Sequence, residues 1–291
     1  MEVMVSMGLL SLIVIVLMTV FSNTQSAFRA GVTQTDVMAN GRATMDMIAA
    51  DARLLTPSGG VFNTNTGNYG TPNLVVFSYA PLAQILPASV SSRTNVLQSL
   101  FFLGREKSKW KGIGYVVDVN NTHSIFPLYR FYEETANLES NPGTLYTNFL
   151  YTSLTNTAVW SHLMDGVVHL VVRSYYDNPT NGSGNWLAVT NTPYPVFAPA
   201  VRNTVLNPII PTYNYPYLNY GESSFAMYSN TLPASLEIQL GVLEDTAIRR
   251  LESLVNANYG TYTNYLSQQA NRVQMFRQRV SVPNCDPSAY Q

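Results

Sequence analysis

The chain has 291 residues, 16 basic against 17 acidic side chains, a net charge of −1 and a pI near 6.3. That balance excludes the broad basic footprint of a general nucleic-acid binder, and one cysteine, Cys285, excludes an intrachain disulfide. Only three lysines, nineteen tyrosines and 11% charged residues suit a surface or envelope protein better than a cytosolic enzyme.

Residues 1–22 open on one acid, Glu2, and then run uncharged and mostly apolar from Val3 to Phe21. At about 1.5 Å per residue this run reaches roughly 28 Å as a helix, close to the ~30 Å hydrocarbon core of a bilayer. Its Leu, Ile, Val and Phe side chains favour insertion by roughly 4 to 7 kcal/mol in sum, an upper bound. Met1-Glu2 supplies no basic flank and the run is longer than a signal-peptide core, which argues against a cleaved signal. A single-pass anchor and a longer helical subunit remain as alternatives.

Over residues 23–56 the pattern becomes amphipathic. Phe28, Val32, Met38, Gly41, Met45, Ile48, Ala52 and Leu55 recur at helical spacing, while Arg29, Thr33, Asp36, Arg42, Asp46 and Arg53 fall off that stripe. The spacing predicts one helix of about 55 residues, roughly 80 Å long, ended by Pro57-Ser58-Gly59-Gly60.

Residues 57–291 read as a β-rich body. Strands are expected at Leu74–Tyr79, Leu100–Leu103, Gly114–Val119, Phe126–Tyr132, Val167–Tyr176, Trp186–Thr190, Ser235–Val242 and Val273–Val282. Hairpin-length gaps imply antiparallel pairing, so the expected class is α+β: a long N-terminal helix packed by its amphipathic part on a mainly antiparallel sheet. Glu244–Asn256, with Ala247, Ile248, Leu251, Leu254 and Val255 in helical register, predicts a helix inserted in that body. Tyr194–Tyr220, rich in Pro and Tyr without period, predicts a long loop.

Chemistry is sparse. His123, His162 and His169 form no ligand motif, and Asp177-Asn178-Pro179-Thr180-Asn181-Gly182 lacks the acceptors of a calcium loop, so it reads as a hairpin turn. No nucleophile elbow, phosphate loop or dinucleotide fingerprint occurs, and no enzyme, cofactor or metal is expected. Arg105, Lys107, Lys109 and Lys111 would share one face of a single strand, with Trp110 beside them. They read either as a contact for acidic polymer or lipid headgroups or as a solvated hairpin end.

Glu2-Val3-Met4-Val5-Ser6 and the apolar run after it resemble the mature N-terminus of type IV pilins and type II secretion pseudopilins. An ordered set points to the J-type minor pseudopilins: Arg42, Asp51-Ala52-Arg53, Leu163 to Val167, Arg173, Tyr175-Tyr176-Asp177, Trp186, Leu232 to Ile238 and Arg279 to Pro283. The region Val242 to Gln274 is longer than that family's turn, as in a larger variant, and Met1 stands where the family has the residue before its glutamate. A basic leader further upstream is the corresponding expectation. The resemblance implies a non-catalytic subunit of an envelope filament, anchored in the bacterial inner membrane with its C-terminal body in the periplasm. Counting arginines around the helix alone would place that body inside, but long domains translocate largely regardless of charge. Implied partners are other pseudopilin subunits, the inner-membrane assembly platform and a prepilin peptidase. Glu2 would set register between subunits, and Met38, Met45, Ile48 and Leu55 would line the assembly stripe. The alternative from another class is a monomeric membrane-anchored binding module.

Overall fold

In a computed structural model of the chain, the described residues are 2–59, 70–85, 92–119, 125–138, 140–176, 185–186, 204–206, 225–228, 231–255 and 264–283. The N-terminal helix α1 spans Glu2–Ala52, and the body carries α2 (Gly143–Tyr151) and α3 (Asp245–Val255). The strands are β1 (Pro72–Ile85), β2 (Ser92–Glu106), β3 (Lys109–Val117), β4 (Leu128–Glu134), β5 (Trp160–Met164) and β6 (Val167–Tyr176). They continue as β7 (Asn185–Trp186), β8 (Thr204–Leu206), β9 (Phe225–Tyr228), β10 (Ser235–Leu243) and β11 (Val273–Ser281).

The eleven described strands belong to one mostly antiparallel sheet, ordered β11-β10-β6-β2-β1-β9-β8, with β3, β4 and β5 branching from β2 and β7 pairing β6. The branch arises because one edge of β2 serves two partners. Leu97 meets Leu170 of β6 in a parallel pairing, and from Leu100 onward β2 pairs with β3. Side chains complete the ladder at that junction: Val172 N–H donates to Gln98 Oε1 at 2.6 Å and Val96 N–H to His169 Nδ1 at 3.1 Å. Buried amides left without partners are costly, which accounts for polar residues at this depth.

Two cores flank the sheet. Against one face, Val37, Met45, Ile48, Ala49 and Ala52 of α1 pack with Leu236, Ile238, Leu240 and Val280, joined by Ala247 and Leu251 of α3. Gly41 permits the close approach, because a Cβ there would lie 2.3 Å from the Phe276 ring. Against the other face, α2 presents Leu145 and Phe149 to an aromatic cluster of Phe77, Phe101, Phe131 and Trp160. Phe149 centres it, at 5.2 Å from Phe101, 5.6 Å from Phe131 and 5.7 Å from Trp160. Gly112 and Gly114 of β3 form the floor, since added Cβ atoms would lie 2.8 Å from Leu145 and 2.3 Å from Phe149.

Several expectations need correction. The helix stops at Ala52, short of Leu55. Leu54 and Leu55 N–H turn to Asp51 and Ala52 carbonyls, tightening the last turn, and Thr56 N–H then donates to Leu103 O at 2.9 Å. Leu55 is thus buried in a β-bridge to Gly104 rather than on a helical face. The backbone exchanges helical bonds for sheet bonds there, and the apolar spacing is the same in either case. The helix α2 and the strands β5 and β9 lie outside the expected elements, and β8 lies inside the expected Tyr194–Tyr220 loop. The rest of that loop, His123, the Asp177 to Gly182 turn, most of Trp186–Thr190 and Cys285 lie outside the described residues.

Candidate functional site

The helix α1 divides into two surfaces. From Ser6 to Asp36 its described side chains are exposed or, at Thr33, half-exposed; Leu17 is 62% and Phe28 73% exposed. Burial begins at Val37 and recurs at Gly41, Thr44, Met45, Ile48, Ala49 and Ala52. Within Ser6–Ala52 lies a window long and apolar enough to cross a membrane, and none of it is buried within the chain. At about 1.5 Å per residue, the undocked part reaches roughly 50 Å beyond the body. Its first part, up to Phe21, is an apolar rod, a surface stable in lipid or against other apolar helices and not in water.

An ion pair ties the base of the rod to the sheet. Asp51, 8% exposed, accepts two bonds from Arg130 of β4, Nε to Oδ2 at 2.7 Å and Nη2 to Oδ1 at 2.9 Å. Tyr115 Oη of β3 donates to the same carboxylate. Burial, reinforced by the Asp51 charge and hydrogen bond, pushes the Tyr115 hydroxyl far above its ordinary value. Burial opposes the charge of Arg130, yet its bonds to Asp51 and Tyr115 leave the guanidinium held more firmly protonated than usual. A bidentate pair with a third donor fixes both the position and the rotation of α1 on the sheet.

The expected assembly residues fall on the docked side. Met45, Ile48 and Leu55 are 3%, 0% and 0% exposed and pack on the chain's own sheet, while Met38 is half-buried at the edge of that contact. Met45, Ile48 and Leu55 cannot line a contact with a neighbouring subunit while α1 is docked. A single amphipathic stripe is satisfied once, and the sheet has taken it. Glu2 lies in the first turn of α1.

The basic segment also differs from expectation. Arg105 lies one residue before the end of β2, Lys107 turns the chain at φ 55°, and Lys109 starts β3, so the four cations do not line one strand. Lys109 pairs with Glu134 at 3.2 Å, and Lys111 with Glu106 and with Glu134, the latter at 3.5 Å. The hydrogen bond to Glu106 chiefly holds the Lys111 ammonium well above its ordinary value. Trp110 is buried, its Nε1–H donating to Leu138 O at 3.3 Å, and Arg105 lies 5.9 Å over its ring. The segment is a hairpin end in which Glu106 and Glu134 pair Lys109 and Lys111, and its tryptophan is buried in the aromatic core rather than presented for stacking.

Sequence reasoning missed a second polar cluster, on the sheet face opposite α1. Glu237 of β10, 3% exposed, accepts from Arg277 at 2.7 Å, Gln239 at 2.7 Å and Tyr175 at 3.1 Å, with Arg173 at 3.9 Å. Burial alone would raise its carboxyl, but these donors, Arg277 foremost, hold it below the ordinary range. Arg279 stacks 4.1 Å from the Tyr175 ring and donates to Ser235 Oγ at 2.8 Å. Arg173, Tyr175, Ser235, Glu237 and Arg279 all belong to the ordered set that carries the pseudopilin resemblance. Their alternation with apolar neighbours along three strands was the available signal for a shared face. Of the histidines, His162 pairs with Asp165 at 2.9 Å, and among the described residues no cluster of metal-ligating side chains occurs. No protein-family model, curated protein or solved structure matches the chain.

Proposed function

We propose that this chain is a pilin-like subunit, of the minor pseudopilin kind, of a type II secretion or type IV pilus-like envelope filament. It carries no catalytic role. The observation behind this reading is the division of α1: an apolar, undocked N-terminal half continuous with a C-terminal half locked to a β-rich body. In the membrane the rod is solvated by acyl chains. On assembly the same surface packs against equivalent helices, so lipid contact is exchanged for protein contact at little net change in apolar burial. The docked half transmits the position of the rod to the body, because Asp51 and the Ile48 contacts prevent it from rolling on the sheet. The body then stands on the periplasmic side, and Glu2, at the N-terminal end of the helix dipole, meets a cationic partner of a neighbouring subunit.

Because the Met38–Leu55 stripe is occupied within the chain, the test uses the exposed half. A photo-crosslinking residue placed singly at Leu9, Ile13, Val16 or Val20 in envelope-embedded protein is expected to give adducts with other helix-bearing subunits. Position Ile48 serves as an internal control that should crosslink only within the chain. Adducts confined to lipid at all four positions would overturn the filament reading in favour of a monomeric membrane-anchored module.

A further inference from the structure

Strand β11 ends the sheet, and its outer edge has no strand partner among the described residues. In its antiparallel ladder with β10, Glu244 N–H donates to Arg272 O at 3.0 Å and Val282 N–H to Ala234 O at 2.9 Å. These pairs place the even-numbered residues in the hydrogen-bonded positions facing β10. The N–H and C=O groups of Val273, Met275, Arg277, Arg279 and Ser281 therefore point outward. Edges of this kind are ordinarily protected by a proline, a bulge, or charged side chains leaning over the edge. Here Val273–Ser281 contains no proline, and its register with β10 runs without a shift over nine pairs. Its two arginines lean inward across the sheet, Arg277 to Glu237 and Arg279 to Tyr175.

The charge beside that edge is not fully paired: Glu237 holds Arg277, while Arg279 rests on the Tyr175 ring and on Ser235 Oγ, with no carboxylate partner among the described residues. Arg93 reaches the same face through Met275, with a thioether as its hydrogen-bond partner instead of a carboxylate. A strand added beside β11 would set its alternate side chains next to Arg277 and Arg279, at the ordinary cross-strand distance of about 5 Å.

We propose that the outer edge of β11 is a docking site for an extended acidic segment of a partner protein, which joins the sheet as a further strand with carboxylates against Arg277 and Arg279. The inference is independent of the helix reading, since it requires no contact by α1.

The test uses the full chain in detergent and a ten-residue synthetic peptide alternating Glu with Val or Thr. A peptide of the same composition with two central prolines and a polyglutamate of equal length are the comparators. Amide exchange followed by mass spectrometry or NMR should show Val273, Met275, Arg277, Arg279 and Ser281 exchanging freely in the isolated protein. The alternating peptide should slow them at least tenfold, and the proline peptide should not. R277Q/R279Q should weaken peptide binding at least tenfold with an unchanged circular dichroism spectrum, and R277K/R279K should retain most of it. Protection of the outward amides before any peptide is added would overturn the proposal, because the edge would then be covered by the chain itself or a second copy. Equal binding of polyglutamate and the alternating peptide would overturn it in favour of a plain polyanion patch.

Discussion

The two halves of α1 share a secondary structure and little else. The half before Val37 is apolar on every side as far as Phe21, then largely polar with Arg29 and Asp36, and has no packing partner among the described residues; the half after it has one apolar stripe, small residues where strands approach, and a buried acid. The same backbone hydrogen bonds stabilise both, so the difference lies in the surface that each is built to touch. The first half is soluble only in an environment that the chain does not supply. The second half obtains its stability from the sheet.

A charge placed in either half would break that comparison most sharply. Ile48→Asp puts an unpaired carboxylate in the core at a position with no exposure, and is expected to cost about 4 kcal/mol or more, enough to unfold the body in denaturant titrations. Ile13→Asp, at a site 47% exposed, should leave the body's unfolding midpoint unchanged while weakening membrane partition by about 3 kcal/mol, read by carbonate extraction. Equal effects on the body would mean that the rod is docked after all.

Next in size is the link between the halves and the sheet. Arg130→Ala leaves Asp51 buried with Tyr115 as its remaining donor, and about 3 kcal/mol of stability should be lost in chemical denaturation. The double variant Asp51→Asn with Arg130→Met should recover much of that loss, because no unpaired charge remains. Gly114→Ala tests the opposite face. Its Cβ would lie 2.3 Å from Phe149, so about 1 to 3 kcal/mol should be lost with α1 unaffected, and Phe149→Leu should restore part of it.

The smallest effect is a pH dependence. Glu237 titrates below its ordinary range when folded, so its ion-pair cluster contributes fully above the ordinary glutamate value and is lost as pH falls through the lowered folded one. Thermal midpoints measured from neutral to acid pH should therefore fall less steeply in Glu237→Gln than in the parent. An identical slope would show that the cluster carries no linkage.

Most of the α+β architecture was legible because it rests on local periodicity. Period 3.6 marks α1 and α3, and β-branched and aromatic runs mark β1 to β4, β6, β10 and β11 in strand-rich sequence. The misses share a cause. Gly143–Tyr151 is short and lies outside the expected elements, because its helicity depends on Leu145 and Phe149 finding Gly112 and Gly114 beneath them. Trp160–Met164 and Phe225–Tyr228 are strands because existing strands offer them an edge. The basic segment failed for a related reason: a period of two was applied across Lys107, where a turn divides it.

The functional residues divide the same way. The rod was visible, since an uncharged run of membrane length needs no partner to be recognised. The ties holding it were not, because Asp51, Tyr115 and Arg130 lie on three elements far apart in the chain. Alone, the sequence determined the apolar helix, its amphipathic continuation and the strand-rich character of the body, all consequences of side-chain order along a single segment. The tertiary structure decided which face of α1 is already occupied, where the helix yields to β2, which charges are paired and which sheet edge has no strand partner among the described residues. Those outcomes depend on distances between segments, and no local pattern encodes a distance.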